Sequence, residues 1–104
     1  MYRVEETEEY QKWFSQQRKD EQIQIDARIA RIREFGHFGF VRQLEDRLAE
    51  LKWKNGRRIY FTLMKDENEN LIILLLGGNK NSQIKDIKKS KSILEILLKD
   101  NFHE

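Results

Sequence analysis

From Leu71 to Leu76 the chain runs through six consecutive aliphatic residues, and the run stops at Gly77-Gly78 before a lysine-rich amphipathic stretch. Six residues are too few to cross a bilayer, so the run reads as a sheet strand covered on both faces. The glycine pair predicts a sharp turn where the chain leaves the core. Lys80 then stands at the rim, and Lys85, Lys88, Lys89 and Lys91 follow on a helix, an arrangement suited to phosphate.

A length of 104 residues predicts one domain, residues 1–104, with a single two-layer core and little room for a cofactor domain. Without cysteine there is neither a disulfide framework nor a thiolate metal site, and His37 and His103 lie far apart, so no metal or other cofactor is expected. The segment MYRVEETEEY is acidic where a signal peptide is basic and then apolar, and no stretch has transmembrane length, so a cytoplasmic protein is expected. Net charge is only +2 but is unevenly placed: residues 1–50 carry 9 cationic side chains against 11 anionic ones, residues 51–104 carry 11 against 7. The basic surface therefore belongs to the second half, where it is either simply solvated or faces a polyanion such as RNA or DNA.

Tyr10, Trp13, Phe14 and Gln17 sit at helical spacing, and Ile25, Ile29 and Ile32 repeat it with Arg28, Arg31 and Arg33 on other faces. Two amphipathic helices are predicted, the second capped by Asp20 and ended by the glycines of Phe35-Gly36-His37-Phe38-Gly39. A last helix begins with Ser82 as N-cap and carries Ile84, Ile87, Leu94 and Leu97 as its apolar stripe. Ile93, Ile96 and Leu98 widen that stripe, toward either a protein partner or a deeper core.

Between these helices the period changes to two. Ala49, Leu51 and Trp53 alternate with Glu50, Lys52 and Lys54, and beyond Asn55-Gly56 the apolar Ile59, Phe61 and Leu63 alternate with Arg58, Tyr60 and Thr62. Opposed residues share a face, so two odd-numbered apolar sets require an even-sum register. A two-residue Asn-Gly loop violates this, whereas a three-residue loop, Lys54-Asn55-Gly56, with Gly56 in the left-handed region, satisfies it. Lys52 then opposes Arg58, and Glu50 opposes Tyr60, on the face expected to be free of helices. Opposed cations call either for a bound anion or for neutralisation by Glu50.

No nucleophile triad, Walker phosphate loop or metal-ligand cluster can be assembled from the sequence. What remains is Lys52, Arg58, Tyr60 and Lys80, with Lys54, Arg57, Lys85, Lys88 and Lys89 as further cations able to follow a nucleic-acid backbone. RNA carries its own nucleophile, the 2′-hydroxyl, so its cleavage requires only alignment, charge stabilisation and proton transfer.

The segments ELKWKNGRRIYF and LLLGGNKNSQIKDIKKSK, following helices that contain ARIARIREFGHFG, resemble the RelE/ParE toxin superfamily in its HigB-like branch of type II toxin–antitoxin systems. The resemblance implies an α+β fold of two N-terminal helices packed on a small antiparallel sheet, with a C-terminal helix. For many members it also implies metal-free cleavage of mRNA on the ribosome, restrained by a cognate antitoxin that often has a helix-turn-helix domain. The alternative within the same superfamily is a non-catalytic, ParE-like inhibitor of DNA gyrase. Arg58 matches the family's strand arginine, Lys80 the lysine after paired glycines, and Gln83 and Asp86 the polar positions opening the last helix. Lys52 stands where the family usually has arginine, which exchanges a bidentate fork for a point charge. On this resemblance Arg58 would stabilise the transition state, with Lys52 and Lys80 on the flanking backbone. A lysine or Tyr60 would move protons, and Tyr60 would alternatively stack on a base. His103 reads as part of a frayed tail.

Overall fold

The computed structural model describes residues 2–65 and 70–102. Its elements are β1 (Tyr2–Glu6), α1 (Glu8–Ser15), α2 (Lys19–Phe35), β2 (Val41–Glu45), β3 (Leu48–Lys52), β4 (Arg57–Lys65), β5 (Asn70–Asn79) and α3 (Gln83–Phe102), with a 3-10 turn at Lys80–Ser82 leading into α3. The fold is α+β, with one sheet in the order β1-β5-β4-β3-β2; β1 runs parallel to β5, and the other pairs are antiparallel. The sheet is therefore mixed, and a strand precedes the two N-terminal helices. In β1 only Tyr2 and Val4 turn inward, among three charged residues, and so short an alternation gives no clear strand signal.

Both faces of the sheet are covered. Tyr10 of α1 and Ile25, Ile29 and Ile32 of α2 pack on Ala49, Leu51, Ile59, Phe61, Ile72 and Leu74. On the opposite face Ile93 and Leu94 of α3 pack on Leu48, Tyr60, Ile73, Leu75 and Leu76. Each such side chain, fully buried, contributes roughly 1.5–3 kcal/mol of apolar transfer energy. The hairpin pattern predicted that the face carrying Glu50 and Tyr60 is free of helices, but α3 lies across it. That pattern marks which residues share a face but not what covers the face.

The three-residue hairpin loop is present. Trp53 N–H donates to Arg57 O at 3.0 Å, Gly56 N–H to Trp53 O at 3.1 Å, and Gly56 has φ +99°. Lys52 pairs with Arg58 and Glu50 with Tyr60. Between β4 and β5 the register slips once, Tyr60 facing Leu76 and Phe61 facing Leu74, so Leu75 is the extra residue of a bulge. Thr7 secures that bulge: its N–H donates to Leu74 O at 3.1 Å, its hydroxyl donates to Leu75 O at 2.7 Å, and the same oxygen accepts the Tyr10 N–H that caps α1.

Other local expectations change. Gly36 does end α2 in the left-handed region, at φ +68°. Asp20 does not cap α2, which starts after Arg18 without a side-chain cap; Arg18 instead donates to the Asp20 carboxylate, and that bond lowers the Asp20 pKa from its ordinary value. Asn79, not Ser82, caps the C-terminal segment, accepting from Asn81 N–H at 2.8 Å and Ser82 N–H at 3.3 Å. Ile84 is 87% exposed and leaves the apolar stripe, Ile93 joins the core, and Ile96 stays 62% exposed. No helix among the described residues is long and apolar enough to cross a membrane.

Candidate functional site

The bulge at Leu75 sets the phase of the last residues of β5, and this explains Gly77-Gly78. The strand runs straight through both, and neither has a positive φ, so the predicted sharp turn is absent. The glycines instead permit close approach from opposite faces. A Cβ on Gly77, opposite Ile59, would fall 2.2 Å from Cδ2 of the Trp13 indole; a Cβ on Gly78, opposite Arg58, would fall 1.9 Å from an oxygen of Asp86. Asp86 also accepts the Ser82 hydroxyl, so the first turn of α3 is seated directly on the strand end.

Beside Gly78, Lys52 and Arg58 oppose each other across β3 and β4. Like charges so placed destabilise a sheet by up to about 1 kcal/mol unless screened. Glu50, two residues inward on the same face and 0% exposed, provides the screen. Its carboxylate lies 3.1 Å from Arg42 Nε and 3.9 Å from Arg58 Nε, and it accepts from Gln83 Nε2 at 3.1 Å. An unpaired carboxylate at that depth would cost several kcal/mol, so these partners are a condition of its burial. Glu50 serves two guanidiniums, and even with Asp86 as a second buried carboxylate at this strand end, Arg42, Lys52 and Arg58 leave the cluster a positive excess.

The Arg58 side chain is 11% exposed, its Nη1 donates to Arg57 O at 3.3 Å, and its Nε has no hydrogen-bond partner. The Lys52 ammonium lies 4.6 Å from the centroid of the Phe40 ring, a cation–π contact that leaves its remaining donors available. Lys80 is exposed, and its stem lies against the hairpin loop, since a Cβ on Gly56 would meet Lys80 Cγ at 3.3 Å. Lys54 is exposed at the hairpin tip, and Lys85, Lys88 and Lys89 are exposed on α3.

Two expected site residues are placed differently. Tyr60 is wholly buried beneath α3 and its hydroxyl has no partner, so its ring cannot stack on a base. Burial first, then the charges of Glu50 and Asp86, push its pKa well above the ordinary tyrosine value, which keeps the phenol protonated. Arg57 points to the helix-covered face with α1 and α2, is 5% exposed, and donates to Glu21 at 3.2 Å, so it is not one of the surface cations that follow a nucleic-acid backbone. Adjacent strand residues alternate in face, which separates Arg57 from Arg58.

Arg42 and the burial of Glu50 went unanticipated. Arg42 opposes Glu50 in the β2–β3 register, a signal legible only once β2 is recognised, and β2 is almost entirely exposed. His37 is exposed beside Phe35, and His103 lies outside the described residues. Among the described residues, no group of three or more His, Cys, Asp or Glu side chains could hold a metal ion.

No protein-family model matches the chain. An uncharacterized protein of Haemophilus influenzae (strain ATCC 51907 / DSM 11121 / KW20 / Rd) is 41% identical over 73 residues, covering 70% of this chain and 72% of that one. Identity of that degree over so much of both sequences makes them homologues, and the chain belongs to the family of this Haemophilus influenzae protein.

Proposed function

We propose that the protein is a toxin of the RelE/ParE kind, HigB-like, which cuts mRNA on the ribosome in the cytoplasm without a metal and is held in check by a cognate antitoxin. The observation that carries this reading is the cross-strand pair Lys52–Arg58 at the sheet end from which Lys80 departs, where Arg42, Lys52, Arg58 and Lys80 outnumber the buried carboxylates of Glu50 and Asp86. In such a reaction the 2′-oxygen attacks the adjacent phosphorus and the bond to the 5′-oxygen breaks, leaving a 2′,3′-cyclic phosphate and a 5′-hydroxyl. Arg58 would neutralise the non-bridging oxygens as charge builds on them, in a partly dehydrated setting where each donor acts strongly. Lys52 and Lys80 would hold the backbone on either side, and a lysine would take the 2′-hydroxyl proton while water protonates the departing 5′-oxygen. Tyr60, protonated and buried without a hydrogen-bond partner, would make no contact with RNA.

The same burial of Tyr60 favours one rival, a non-catalytic inhibitor of DNA gyrase, because a binder needs cations but no accessible acid. The two separate in one experiment. The chain expressed alone should arrest growth and generate new mRNA 5′ ends within translated codons, and Arg58→Ala should lower cleavage by on the order of 10² or more while the protein stays folded. Wild-type cleavage by folded Arg58→Ala would remove Arg58 from the mechanism. Intact mRNA together with blocked gyrase supercoiling would replace the nuclease reading with the rival.

A further inference from the structure

On the face of the sheet opposite Glu50, behind the same hairpin, lies a cavity of about 200 Å³ lined by Trp13, Gln17, Glu21, Asn55, Arg57 and Asn79, with Gly78 at its floor. It is smaller than the pockets of drug-sized ligands, roughly 300–1,000 Å³, and suits a single flat ring system. Its walls are mostly polar, and most of these groups have spare hydrogen-bonding capacity. Arg57 is 5% exposed and its Nη1 has no partner. Asn55 uses its Oδ1 to accept the Arg57 N–H at 3.0 Å, which leaves its amide NH₂. Asn79 uses its Oδ1 for the cap, which likewise leaves its NH₂. Gln17 donates its NH₂ to Trp13 O at 2.9 Å, which leaves its Oε1 as acceptor.

Glu21 decides against an anion. Its carboxylate accepts from Arg57 Nη2 at 3.2 Å and lies 3.7 Å from Arg18 Nε, whose charge Asp20 also meets, so Glu21 offsets Arg57 and the cavity favours a neutral occupant with acceptors for Arg57 and the asparagines and donors for Glu21 and Gln17. Guanine has that pattern, with O6 and N7 as acceptors and the N2 amino group as donor, and arginine pairing to O6 and N7 is the commonest specific protein–base contact. Trp13 supplies an aromatic wall, held against the strand by the missing side chain of Gly77. The cavity also lies within one residue of Lys80, because Asn79 lines it and Lys80 lies along the hairpin loop.

We infer that this cavity receives one guanine base of a single-stranded RNA whose backbone passes over Lys80. The inference rests on the RNA-cleaving function proposed above and extends it to sequence choice: a strand drawn over the sheet end presents its backbone to Lys52, Arg58 and Lys80 and drops a flanking base behind the hairpin.

The test uses four 5′-labelled pentaribonucleotides, UUGUU, UUAUU, UUCUU and UUUUU, with 2′-O-methyl groups throughout so that no strand is cut during fluorescence-polarisation titration. Wild-type protein should bind UUGUU roughly tenfold more tightly than the others. Gln17→Ala and Glu21→Gln should each narrow that gap to about threefold or less, within the same range of base-pairing energies. If loss of the Arg57 ion pair unfolds Glu21→Gln, Gln17→Ala decides alone, since the Gln17 amide reaches only the Trp13 carbonyl. Equal binding of all four strands overturns the guanine pocket and leaves backbone recognition standing. A guanine preference that survives both substitutions overturns the assignment to this cavity. Failure of every strand to bind overturns the RNA-binding function and the inference with it.

Discussion

Arg28 and the Arg57–Arg58 pair are guanidiniums taken out of water in the same small protein, but they are treated differently. Arg28, on α2, donates to Phe38 O at 3.1 and 2.8 Å, to Lys52 O at 2.6 Å and to Phe40 O at 2.8 Å, clasping the helix to the chain on either side of β2. Its guanidinium also lies 4.3 Å from the centroid of the Trp53 ring, and burial lowers its pKa from the ordinary arginine value. At the hairpin end, Arg57 Nη1 and Arg58 Nε are buried without hydrogen-bond partners, although Arg58 Nε lies 3.9 Å from the Glu50 carboxylate. Satisfied cations hold a fold together, whereas unsatisfied buried donors weaken it and call for a separate explanation, of which completion by a ligand is one.

The largest expected effect tests the satisfied side. Arg28→Met would orphan the carbonyls of Phe38 and Lys52, leave Phe40 O with the Lys52 N–H alone, and should lower unfolding free energy by about 3–5 kcal/mol in urea titrations. Arg58→Met should cost less than about 1 kcal/mol, because Glu50 keeps Arg42 and Gln83 and an unsatisfied donor is removed. Equal losses would break the distinction between clasp and site.

Next come the two glycines, which sharpen the comparison by testing which contacts at the hairpin end are rigid. Gly77→Ala drives a methyl into the Trp13 ring, and an overpacked site of this kind costs about 1–3 kcal/mol. Gly78→Ala meets the tip of the Asp86 side chain, which can rotate away, so its cost should be smaller. Thermal midpoints of the two variants rank them, and a larger loss for Gly78→Ala would mean that the Asp86 carboxylate is locked in place. Tryptophan emission should shift in Gly77→Ala alone.

What the sequence revealed of this end was its register, because parity along two alternating strands leaves one loop length that keeps Leu51 and Ile59 on one side and Lys52 and Arg58 on the other. The long aliphatic run likewise declared a doubly covered strand, and Ile72 to Leu76 are all buried. Depth was not legible. Glu50 is the most buried charge in the cluster, yet in an alternating pattern it looks like any solvent-facing residue, since a carboxylate's burial depends on the partners Arg42 and Gln83 brought from other elements. Gly77-Gly78 misled for a related reason: glycine permits a turn and permits close approach, and only the positions of Trp13 and Asp86 distinguish the two.

The smallest effect concerns the one group at the site that neither clasps nor faces a ligand. The Tyr60 hydroxyl is buried without a partner, so Tyr60→Phe should leave stability unchanged or raise it by up to about 1 kcal/mol at neutral pH. At high pH the difference should grow. The folded-state pKa of Tyr60 is raised above the unfolded value, so the folded protein holds a proton that the unfolded chain releases once pH passes about 10. Stability is therefore intact below that point and falls as pH rises beyond it, with Tyr10, also raised mainly by burial, contributing in the same direction. Urea midpoints measured between neutral pH and about pH 11 should decline less steeply in Tyr60→Phe than in the wild type, because one of the two phenols whose pKa burial raises is gone. Parallel declines would mean that Tyr60 reaches water in the native state, and that would restore the phenol as a proton donor to RNA beside Arg58.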